Sequence, residues 1–379
     1  MSANDIAIPG DTGATLVVDL DAIAENYELL LKTCPHARVG ASVKADAYGL
    51  GLAPVARTLS KAGCRSFFVA TPGEGLALRD VLPTAEIIIL NGPERGQTDL
   101  FVRGALTPAL NSLQQIESWQ LENPDDRAPA YLHLDTGMNR LGLAVDDVDI
   151  LVSEPRRLKG ISISMVMSHL ACADTPQHLM NQAQIVAFTE MRTRIETVTG
   201  PLKASLANSP GIFLGPEYHY DLVRPGAALY GLAPNLDRPN PMKQTVEIYA
   251  KILQLRNVDT PMTVGYGAAQ YVKKRARIAT VAAGYGDGYP RAAASKTGGG
   301  MHTYIAGYKA PLYGRVSMDL ITLDVSDVPE EFTVPGQPVE LLGPHISPDD
   351  LGASAGTIGY EILTRFGSRL HRVYRDGGA

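Results

Sequence analysis

The chain has 379 residues, of which 45% are hydrophobic and 20% are charged, the usual proportions of a globular protein with a large core. This length suits about two domains. The net charge of −6 excludes a general basic surface for nucleic acid or anionic membrane, and no apolar run is long enough to span a bilayer. Three scattered cysteines form neither a disulfide framework nor a metal cluster. We therefore predict no bound metal and, because no signal-peptide pattern opens the sequence, a cytoplasmic location.

The first 236 residues alternate short apolar runs with longer amphipathic stretches. Thr15–Leu20 is the first apolar run, and the helical pattern of Asp21–Leu31 follows with Asp21 as its predicted N-cap. About eight β-α units then fit into roughly 200 residues, which is typical of a (β/α)8 barrel of the TIM type, although a doubly wound sheet shows the same alternation. The eight predicted strands are Val39–Lys44, Ser66–Ala70, Glu86–Leu90, Ala105–Ala109, Ala130–Leu134, Ile161–Ser168, Leu202–Leu206 and Asp221–Arg224.

The pattern changes after the Pro- and Asn-rich segment Asn235–Pro241, which indicates a linker. Beyond it, short β-like runs and frequent glycines predict a mostly β domain, with no extended helical pattern before Gly356–Thr364. We therefore predict an α/β protein with a barrel over residues 1–236 and a β domain over residues 237–379. The predicted strands of the second domain are Thr245–Leu255, Arg277–Ala283, His302–Ile305, Pro311–Tyr313, Leu320–Val325 and Pro338–Leu341.

A lysine ends the first of the predicted barrel strands. The carboxyl ends of the strands of an α/β fold are where such proteins gather their reactive groups, so Lys44 lies at a favourable position for chemistry. Partial burial disfavours the ammonium form and makes the neutral, nucleophilic amine accessible. Such amines form Schiff bases with carbonyl substrates or with pyridoxal phosphate. Taken alone, the same lysine could equally extend its charge from a strand end into water.

Other polar residues follow other predicted strands. Arg140 comes after a glycine turn and can bind a carboxylate with two hydrogen bonds. His169 ends a further strand, where a structural histidine is the commoner role. Asn208 and Ser209 can cap a helix or hold a phosphate at its start, and Arg224 precedes a Pro-Gly turn near the last strand, where barrels often bind phosphate. Each residue alone has an ordinary structural explanation.

The order of these motifs resembles that of the alanine racemases, the fold-type III pyridoxal phosphate enzymes, over essentially the whole chain. The lysine motif Val43-Lys44-Ala45-Asp46-Ala47-Tyr48-Gly49 is followed in order by a set of short motifs that are unspecific individually but specific together. They are Asp135-Thr136-Gly137-Met138 with Arg140, Ser168-His169, Asn208-Ser209, Arg224-Pro225-Gly226, Gly265-Tyr266-Gly267, Asp287-Gly288, Met318-Asp319 and Tyr360-Glu361.

The resemblance implies a racemase that interconverts L-alanine and D-alanine with two bases. Lys44 would carry pyridoxal 5'-phosphate and act on one face of the substrate Cα, and Tyr266 would act on the opposite face. In the family this tyrosine comes from the second subunit, so the resemblance implies a homodimer with shared active sites. The product would serve peptidoglycan synthesis, or the reaction would serve alanine catabolism.

The resemblance also implies which residues bind the cofactor and the substrate. Arg140 and the backbone of Met318 would receive the substrate carboxylate, and Arg315 would lie at the entrance to the site. Arg224 would face the pyridine nitrogen, with His169 and Arg224 in the hydrogen-bond network of Tyr266. The residues implied for binding the cofactor are Lys44, Tyr48, His169, Asn208, Ser209, Arg224, Gly226, Ala227 and Tyr360.

The chain departs from the family pattern at His133. Many family members have a carbamylated lysine two residues before the Asp-Thr-Gly, and its negative charge orients the substrate-binding arginine. Because histidine cannot carry that carbamate, we predict an unmodified residue and another means of positioning Arg140, either neutral His133 or a bound anion. A second departure, Ser317 in place of a cysteine, is expected to have little effect.

The same motifs leave three other functions open. A serine racemase or one of broad specificity would use the same two bases, so only kinetics with several amino acids separates it from an alanine racemase. A non-catalytic pyridoxal phosphate-binding protein would not need both Lys44 and Tyr266. A decarboxylase of the same fold type would not need two bases on opposite faces.

Overall fold

The structure is a computed structural model that describes residues 8–123, 129–235, 237–294 and 301–376. These residues form two compact units. The barrel unit comprises Ile23–Ala47 and Gly51–Lys243, and the β unit comprises the described residues up to Ala22, the segment Tyr48–Leu50 and the described residues from Gln244 onward.

The described residues contain nineteen strands. In chain order they are β1 (Ala14–Asp19), β2 (Arg38–Val39), β3 (Ala41–Ser42), β4 (Ser66–Val69), β5 (Glu86–Ile89), β6 (Leu106–Leu110), β7 (Ala130–His133), β8 (Ile163–Met167), β9 (Lys203–Ser205), β10 (Leu222–Val223), β11 (Val246–Val258), β12 (Thr263–Val264), β13 (Gln270–Tyr271), β14 (Ala276–Val281), β15 (His302–Ile305), β16 (Tyr308–Pro311), β17 (Ile321–Asp324), β18 (Pro338–Leu342) and β19 (His371–Arg375).

Eleven α-helical segments, besides several short 3-10 helices, accompany these strands in the described part of the chain. None of them is long and apolar enough to cross a membrane. They are α1 (Leu20–Thr33), α2 (Lys44–Tyr48), α3 (Leu52–Lys61), α4 (Pro72–Val81), α5 (Thr98–Arg103), α6 (Leu113–Glu122), α7 (Val145–Ser153), α8 (Leu179–Thr199), α9 (Ser209–Ile212), α10 (Pro348–Ser354) and α11 (Gly359–Thr364).

The parallel sheet of the barrel unit closes on itself. Strands β3 to β9 pair in sequence order, and β10 pairs with β2, the segment that leads directly into β3. Backbone hydrogen bonds from Asp221 N to Ala204 O (3.0 Å) and from Ser42 N to Pro225 O (2.8 Å) continue the ladder on either side of β10. The closed ring confirms the barrel and excludes the doubly wound sheet. The carboxyl ends of all its strands therefore meet at one rim.

Apolar residues on both faces of the strands explain why this sheet is covered by helices. Every residue of β4 is buried, as are the three isoleucines of β5. Phe68, Ile88, Ala109, Tyr131 and Met165 come from successive strands and pack together as a core. Continuous burial of this kind is typical of parallel strands that pack between a barrel interior and surrounding helices.

A long antiparallel strand organises the β unit. β11 pairs with β1, β14 and β18, and β1 also pairs in parallel with β19. The register of β11 shifts between Ile248 and Tyr249 against β18 and between Ile252 and Gln254 against β14. Bulges of this kind bend a strand and increase its twist. The bent β11 can therefore pair with β1 and β18 along one part of its length and with β14 along another.

The structure corrects four details of the sequence prediction. The described residues up to Ala22, predicted as part of a barrel domain over residues 1–236, belong to the β unit because β1 pairs there; Leu236, the predicted boundary, lies outside the described residues. The N-terminal cap of α1 comes from Asp19, which accepts from Ala22 N at 2.8 Å, and not from Asp21. Helix α10 precedes the predicted C-terminal helix, and strand β16 (Tyr308–Pro311) lies earlier than predicted.

Candidate active site

A left-handed helical turn follows Lys44. Ala45, Asp46, Ala47 and Tyr48 have φ values between 53° and 58°, four consecutive residues with side chains in the left-handed region. Such a conformation costs ~1–2 kcal/mol per residue for L-amino acids. The turn must therefore be stabilised by contacts with other residues. It also directs the chain after Lys44 differently from an ordinary right-handed helix.

A carboxylate from the next β-α connection provides one of those contacts. Glu74 accepts a hydrogen bond from Ala45 N at 2.7 Å, from Ala70 N at 2.7 Å and from Thr71 N at 3.2 Å. Thr71 in turn accepts from Glu74 N, which completes a capping box at the start of α4. Glu74 thus fixes the backbone immediately after Lys44 to the end of the neighbouring strand.

The surroundings of Lys44 favour its neutral amine. Burial, followed by the positive charge of Arg140 and a smaller effect of Arg224, lowers the lysine pKa below its usual range, and Glu74 partly opposes that shift. Because a smaller fraction of a lysine with a lowered pKa is protonated near neutral pH, Lys44 can act as a nucleophile or a base. This result favours the chemical interpretation of Lys44 over a solvent-exposed charge.

A buried arginine lies at the carboxyl ends of the adjacent strands. Arg224 donates to the Ser205 hydroxyl at 2.6 Å and to Ser168 O at 2.5 Å, and its Nη2 lies 3.4 Å from Nδ1 of His169. Burial lowers the pKa of Arg224 to about 10, so it stays charged near neutral pH. Burial and the charge of Arg224 hold the pKa of His169 well below its usual range. His169 is therefore neutral.

Ser209 and the turn after Arg224 form a cluster of backbone donors. The Ser209 hydroxyl accepts from Gly226 N at 2.9 Å and from Ala228 N at 3.1 Å. Asn208 caps α9 by accepting from Gly211 N at 3.0 Å and also donates to Leu170 O, so its side chain has the structural role that the sequence left open. These two amides therefore hold the Ser209 hydroxyl in place, and because that hydroxyl accepts from them, its own proton can be donated to an anionic group.

The loop that carries Arg140 is tightly closed. One oxygen of Asp135 accepts from the amides of Gly137, Met138 and Asn139 at 2.9 to 3.1 Å. Leu143 N donates to His133 O at 2.8 Å and closes the base of the loop. The loop therefore presents Arg140 from a rigid support at the end of β7.

His133 is buried beside this loop, at the last position of β7. Its Nδ1 lies 2.7 Å from the side-chain oxygen of Asn111, the residue that follows β6. Burial, followed by the charge of Arg224, lowers the pKa of His133 to about 4; Asp135 opposes that shift and Arg140 adds to it. His133 and Arg140 line one narrow pocket together with His169.

Two of the predicted phosphate-binding tyrosines contact each other in the β unit. Tyr48 is 8% exposed, and its ring centroid lies 6.3 Å from that of Tyr360 at the start of α11.

Tyr266 projects from the β12–β13 hairpin and is 74% exposed in the single chain. It shares a surface pocket with Arg315 and Thr322, and Gly265 and Gly267 flank it in the left-handed conformation that favours glycine. Tyr271 on the same hairpin is similarly exposed at 68%. Exposed aromatic side chains on one hairpin are typical of a surface that another molecule covers.

The Met318 turn is fixed by ion pairs and a close backbone approach. Arg369 contacts Asp287 at 3.0 Å and Asp319 at 2.7 Å. Met318 O accepts from Gly286 N at 2.8 Å, and a Cβ at Gly284 would lie 2.3 Å from that same carbonyl oxygen. Only glycine fits there, so Gly284 is required for this approach.

The structure brings part of the predicted site together within each unit. In the barrel unit, Lys44, Arg140, His169 and Arg224 influence one another electrostatically, and the Ser209 hydroxyl accepts from Gly226 N. In the β unit, Tyr48 contacts Tyr360, while Tyr266, Met318 and their supporting turns lie on other segments. Sequence reasoning did not identify four supporting side chains, each of which acts through a partner distant in sequence: Glu74, Asn111, Gln184 and Arg369.

These features define a class of two-unit α/β barrel proteins with an activated lysine at the barrel rim. Family models agree: the alanine racemase N-terminal domain matches residues 18–234, and the alanine racemase C-terminal domain matches residues 245–374. The chain therefore belongs to the alanine racemase family. The expectations of this fold and of an amino-acid isomerase are both confirmed.

Individual relatives match over nearly the whole length. An alanine racemase of Rhodospirillum rubrum is 48% identical over 365 residues, which cover 95% of this chain and 96% of that protein. A catabolic alanine racemase of Mesorhizobium japonicum is 44% identical, with 96% and 94% covered. The crystal structure of an alanine racemase from Bartonella henselae with covalently bound pyridoxal phosphate has a TM-score of 0.90 at 37% identity, covering 96% of this chain and 99% of that one.

Proposed function

We propose that this protein interconverts L-alanine and D-alanine with pyridoxal 5'-phosphate, using Lys44 and Tyr266 as two bases. The proposal rests mainly on the position and the lowered pKa of Lys44. It lies at the carboxyl end of a barrel strand, its pKa is lowered by burial and by two arginines, and its backbone is held by Glu74. A lysine that only extended its charge into water would need none of these features.

The residues of this chain fit the cofactor. Lys44 supplies an amine for its aldehyde, with a pKa lowered by burial, and Arg224 supplies a buried positive charge with fixed hydrogen bonds. The Ser209 hydroxyl and the amides of Gly226 and Ala227 would hold the phosphate, with the hydroxyls of Tyr48 and Tyr360. Bound pyridoxal phosphate would supply an electron-withdrawing system that makes the Cα proton of an attached amino acid acidic.

Inversion at Cα needs one base on each face. Lys44 would remove or deliver a proton on one face and Tyr266 on the other, so that a proton leaves one side and another arrives from the opposite side. Tyr266 is exposed in the single chain, which fits our proposal that it acts in the site of a second subunit. The protein would then be a homodimer whose sites each draw on both chains.

The hydrogen bonds of His169 suit a supporting role for Tyr266. Because a guanidinium only donates, the Nδ1 of His169 facing Arg224 must be the acceptor. The proton of the neutral ring is then on Nε2, where it can donate to the oxygen of a deprotonated phenol. Arg224 would also pair with the pyridine nitrogen, and because it keeps its own protons it would leave that nitrogen unprotonated.

Arg140 and the backbone of Met318 would bind the substrate carboxylate. A racemase of serine or of broad specificity would use the same groups, and the ratio of kcat/KM values for alanine and serine separates these alternatives. The enantiomers have equal free energies, so the direction in the cell follows supply and demand. Loss of the protein should cause a requirement for D-alanine if it supplies peptidoglycan, and poor growth on alanine if it serves catabolism.

The direct test is incubation of the purified holoenzyme with L-alanine followed by chiral analysis. We expect equal amounts of both enantiomers at equilibrium. Lys44→Ala should abolish both the reaction and the visible absorption that depends on the lysine–cofactor bond. Failure to form D-alanine with cofactor bound would contradict the proposal and favour a non-catalytic cofactor-binding protein.

A further inference from the structure

His133 ends β7 at the base of the loop that carries Arg140, and its ring can be neutral or charged and can carry its proton on either nitrogen. Only an unprotonated nitrogen can accept a hydrogen bond from a guanidinium. The hydrogen bonds around His133 decide which nitrogen that is. The inference below rests on the proposed function, because it concerns how Arg140 receives the substrate carboxylate.

The side chain of Asn111 has a single chemically consistent orientation. Its amide nitrogen lies 3.1 Å from Leu90 O and 3.0 Å from Ala109 O, both of which only accept hydrogen bonds. An amide turned the other way would place an oxygen against two carbonyl oxygens. The Asn111 side-chain oxygen therefore faces His133 and is available only as an acceptor.

This orientation determines the tautomer of His133. Since the Asn111 oxygen accepts, Nδ1 of His133 must donate across their 2.7 Å hydrogen bond. The ring is buried, and Arg224 and Arg140 further disfavour a second proton, with Asp135 the opposing carboxylate. His169, at the end of the neighbouring strand, is also close enough to interact with the His133 ring, and it is neutral. The neutral ring carries its proton on Nδ1, which leaves Nε2 as a lone-pair acceptor.

We propose that Asn111 fixes His133 as its Nδ1–H tautomer, so that the Nε2 lone pair accepts from Arg140 and positions its guanidinium for the substrate carboxylate. His133 lines the same narrow pocket as Arg140, and the Asp135-capped loop fixes the arginine's backbone beside it. A neutral acceptor here orients the arginine without neutralising its charge. His133 and Asn111 are then positioning residues that act through Arg140.

Substitutions separate this role from simple packing. Glutamine at position 133 can donate through its amide nitrogen and accept through its oxygen, so His133→Gln keeps both functions, whereas His133→Leu removes both. His219 provides the matched control, because it is a buried histidine of the same unit whose Nε2 donates to Ile212 O at 2.8 Å. His219→Gln should leave substrate binding unchanged.

The kinetic experiment measures KM and kcat for L-alanine, together with the dissociation constant of propionate, which has the carboxylate and methyl group of alanine but no amine. For His133→Leu we expect KM and the propionate constant to rise about tenfold or more, with a smaller change in kcat. His133→Gln should stay within about threefold of the wild type. An equal loss in both variants, or a fall in kcat alone, would overturn the positioning role.

Neutron diffraction or ring ¹⁵N shifts of the holoenzyme test the tautomer directly. We expect a proton on Nδ1 of His133 and on Nε2 of His219. A proton on Nε2 of His133 would overturn the inference even if the enzyme racemises alanine. Conversely, a wild type that binds propionate with this tautomer but forms no D-alanine would contradict the proposed function and leave the inference standing.

Discussion

The rim of the barrel and the Tyr266 hairpin differ in how their polar groups are held. At the rim, Arg224 is buried with fixed hydrogen bonds and Lys44 follows a strand end tied to Glu74. On the hairpin, Tyr266 is 74% exposed. The barrel unit therefore holds the proposed base Lys44 in place by itself, whereas the proposed second base, Tyr266, lies on a surface that another molecule would complete.

Removal of the prearranged base should have the largest effect. Lys44→Ala should lower kcat/KM for both directions by about three orders of magnitude or more, because both the covalent attachment and one proton transfer are lost. Racemisation followed by polarimetry or chiral chromatography measures this effect. Lys251→Ala in the β unit is the control and should retain activity; a Lys44→Ala enzyme with near-normal rates would contradict the assignment.

Removal of the exposed base should have a smaller and unequal effect. Tyr266→Phe should slow racemisation by about a hundredfold, because one proton transfer is lost while Lys44 still acts on its own face. In deuterated water, exchange of the Cα proton should persist for one enantiomer and nearly vanish for the other, as NMR would show. Tyr271→Phe on the same hairpin is the matched control; equal loss of exchange for both enantiomers would argue against two distinct bases.

Glu74, which holds the backbone after Lys44, should also affect the pKa of Lys44. Glu74→Gln removes a negative charge that raises the Lys44 pKa, so the limb of the kcat/KM profile that reports the lysine should shift to lower pH. In the same variant, the amide nitrogen of glutamine replaces one of the two oxygens that accept from backbone N–H groups. Because a hydrogen bond is lost there, the free energy of unfolding should fall by about 1–3 kcal/mol. Glu94→Gln is the control. A shift to higher pH would contradict this electrostatic role.

The sequence predicted the barrel well because its strands are continuous apolar runs. All eight predicted strands have counterparts, but Val39–Lys44 is divided into β2 and β3, and the ends of the others differ by a few residues. The left-handed turn at Ala45–Tyr48 was not predictable, because no glycine marks the four positions with positive φ. Glu74, Asn111 and Arg369 were also missed, since their roles depend on partners that only folding brings close.

The last predicted effect comes from the buried His133 and appears in stability rather than in rate. His133 has a pKa of about 4 in the folded protein and about 6.5 when unfolded, so the unfolded chain binds more protons between these values. The neutral ring of His133 therefore adds to the free energy of unfolding above about pH 6.5. This contribution, about 2–4 kcal/mol, is lost as the pH falls toward 4. His133→Gln should show a shallower fall of unfolding free energy over that range in denaturant titrations; an unchanged slope would contradict the neutral ring.

The claim that one active site draws on two subunits can be measured by complementation. Lys44→Ala and Tyr266→Phe chains, each nearly inactive, are unfolded together and refolded as a mixture. If Tyr266 acts across the dimer, each mixed dimer has one site with both bases intact, and random pairing should restore about a quarter of the wild-type activity. If both bases came from the same chain, no site in the mixture would be complete. We expect recovery of activity, and a mixture no more active than its parts would contradict a site shared between subunits.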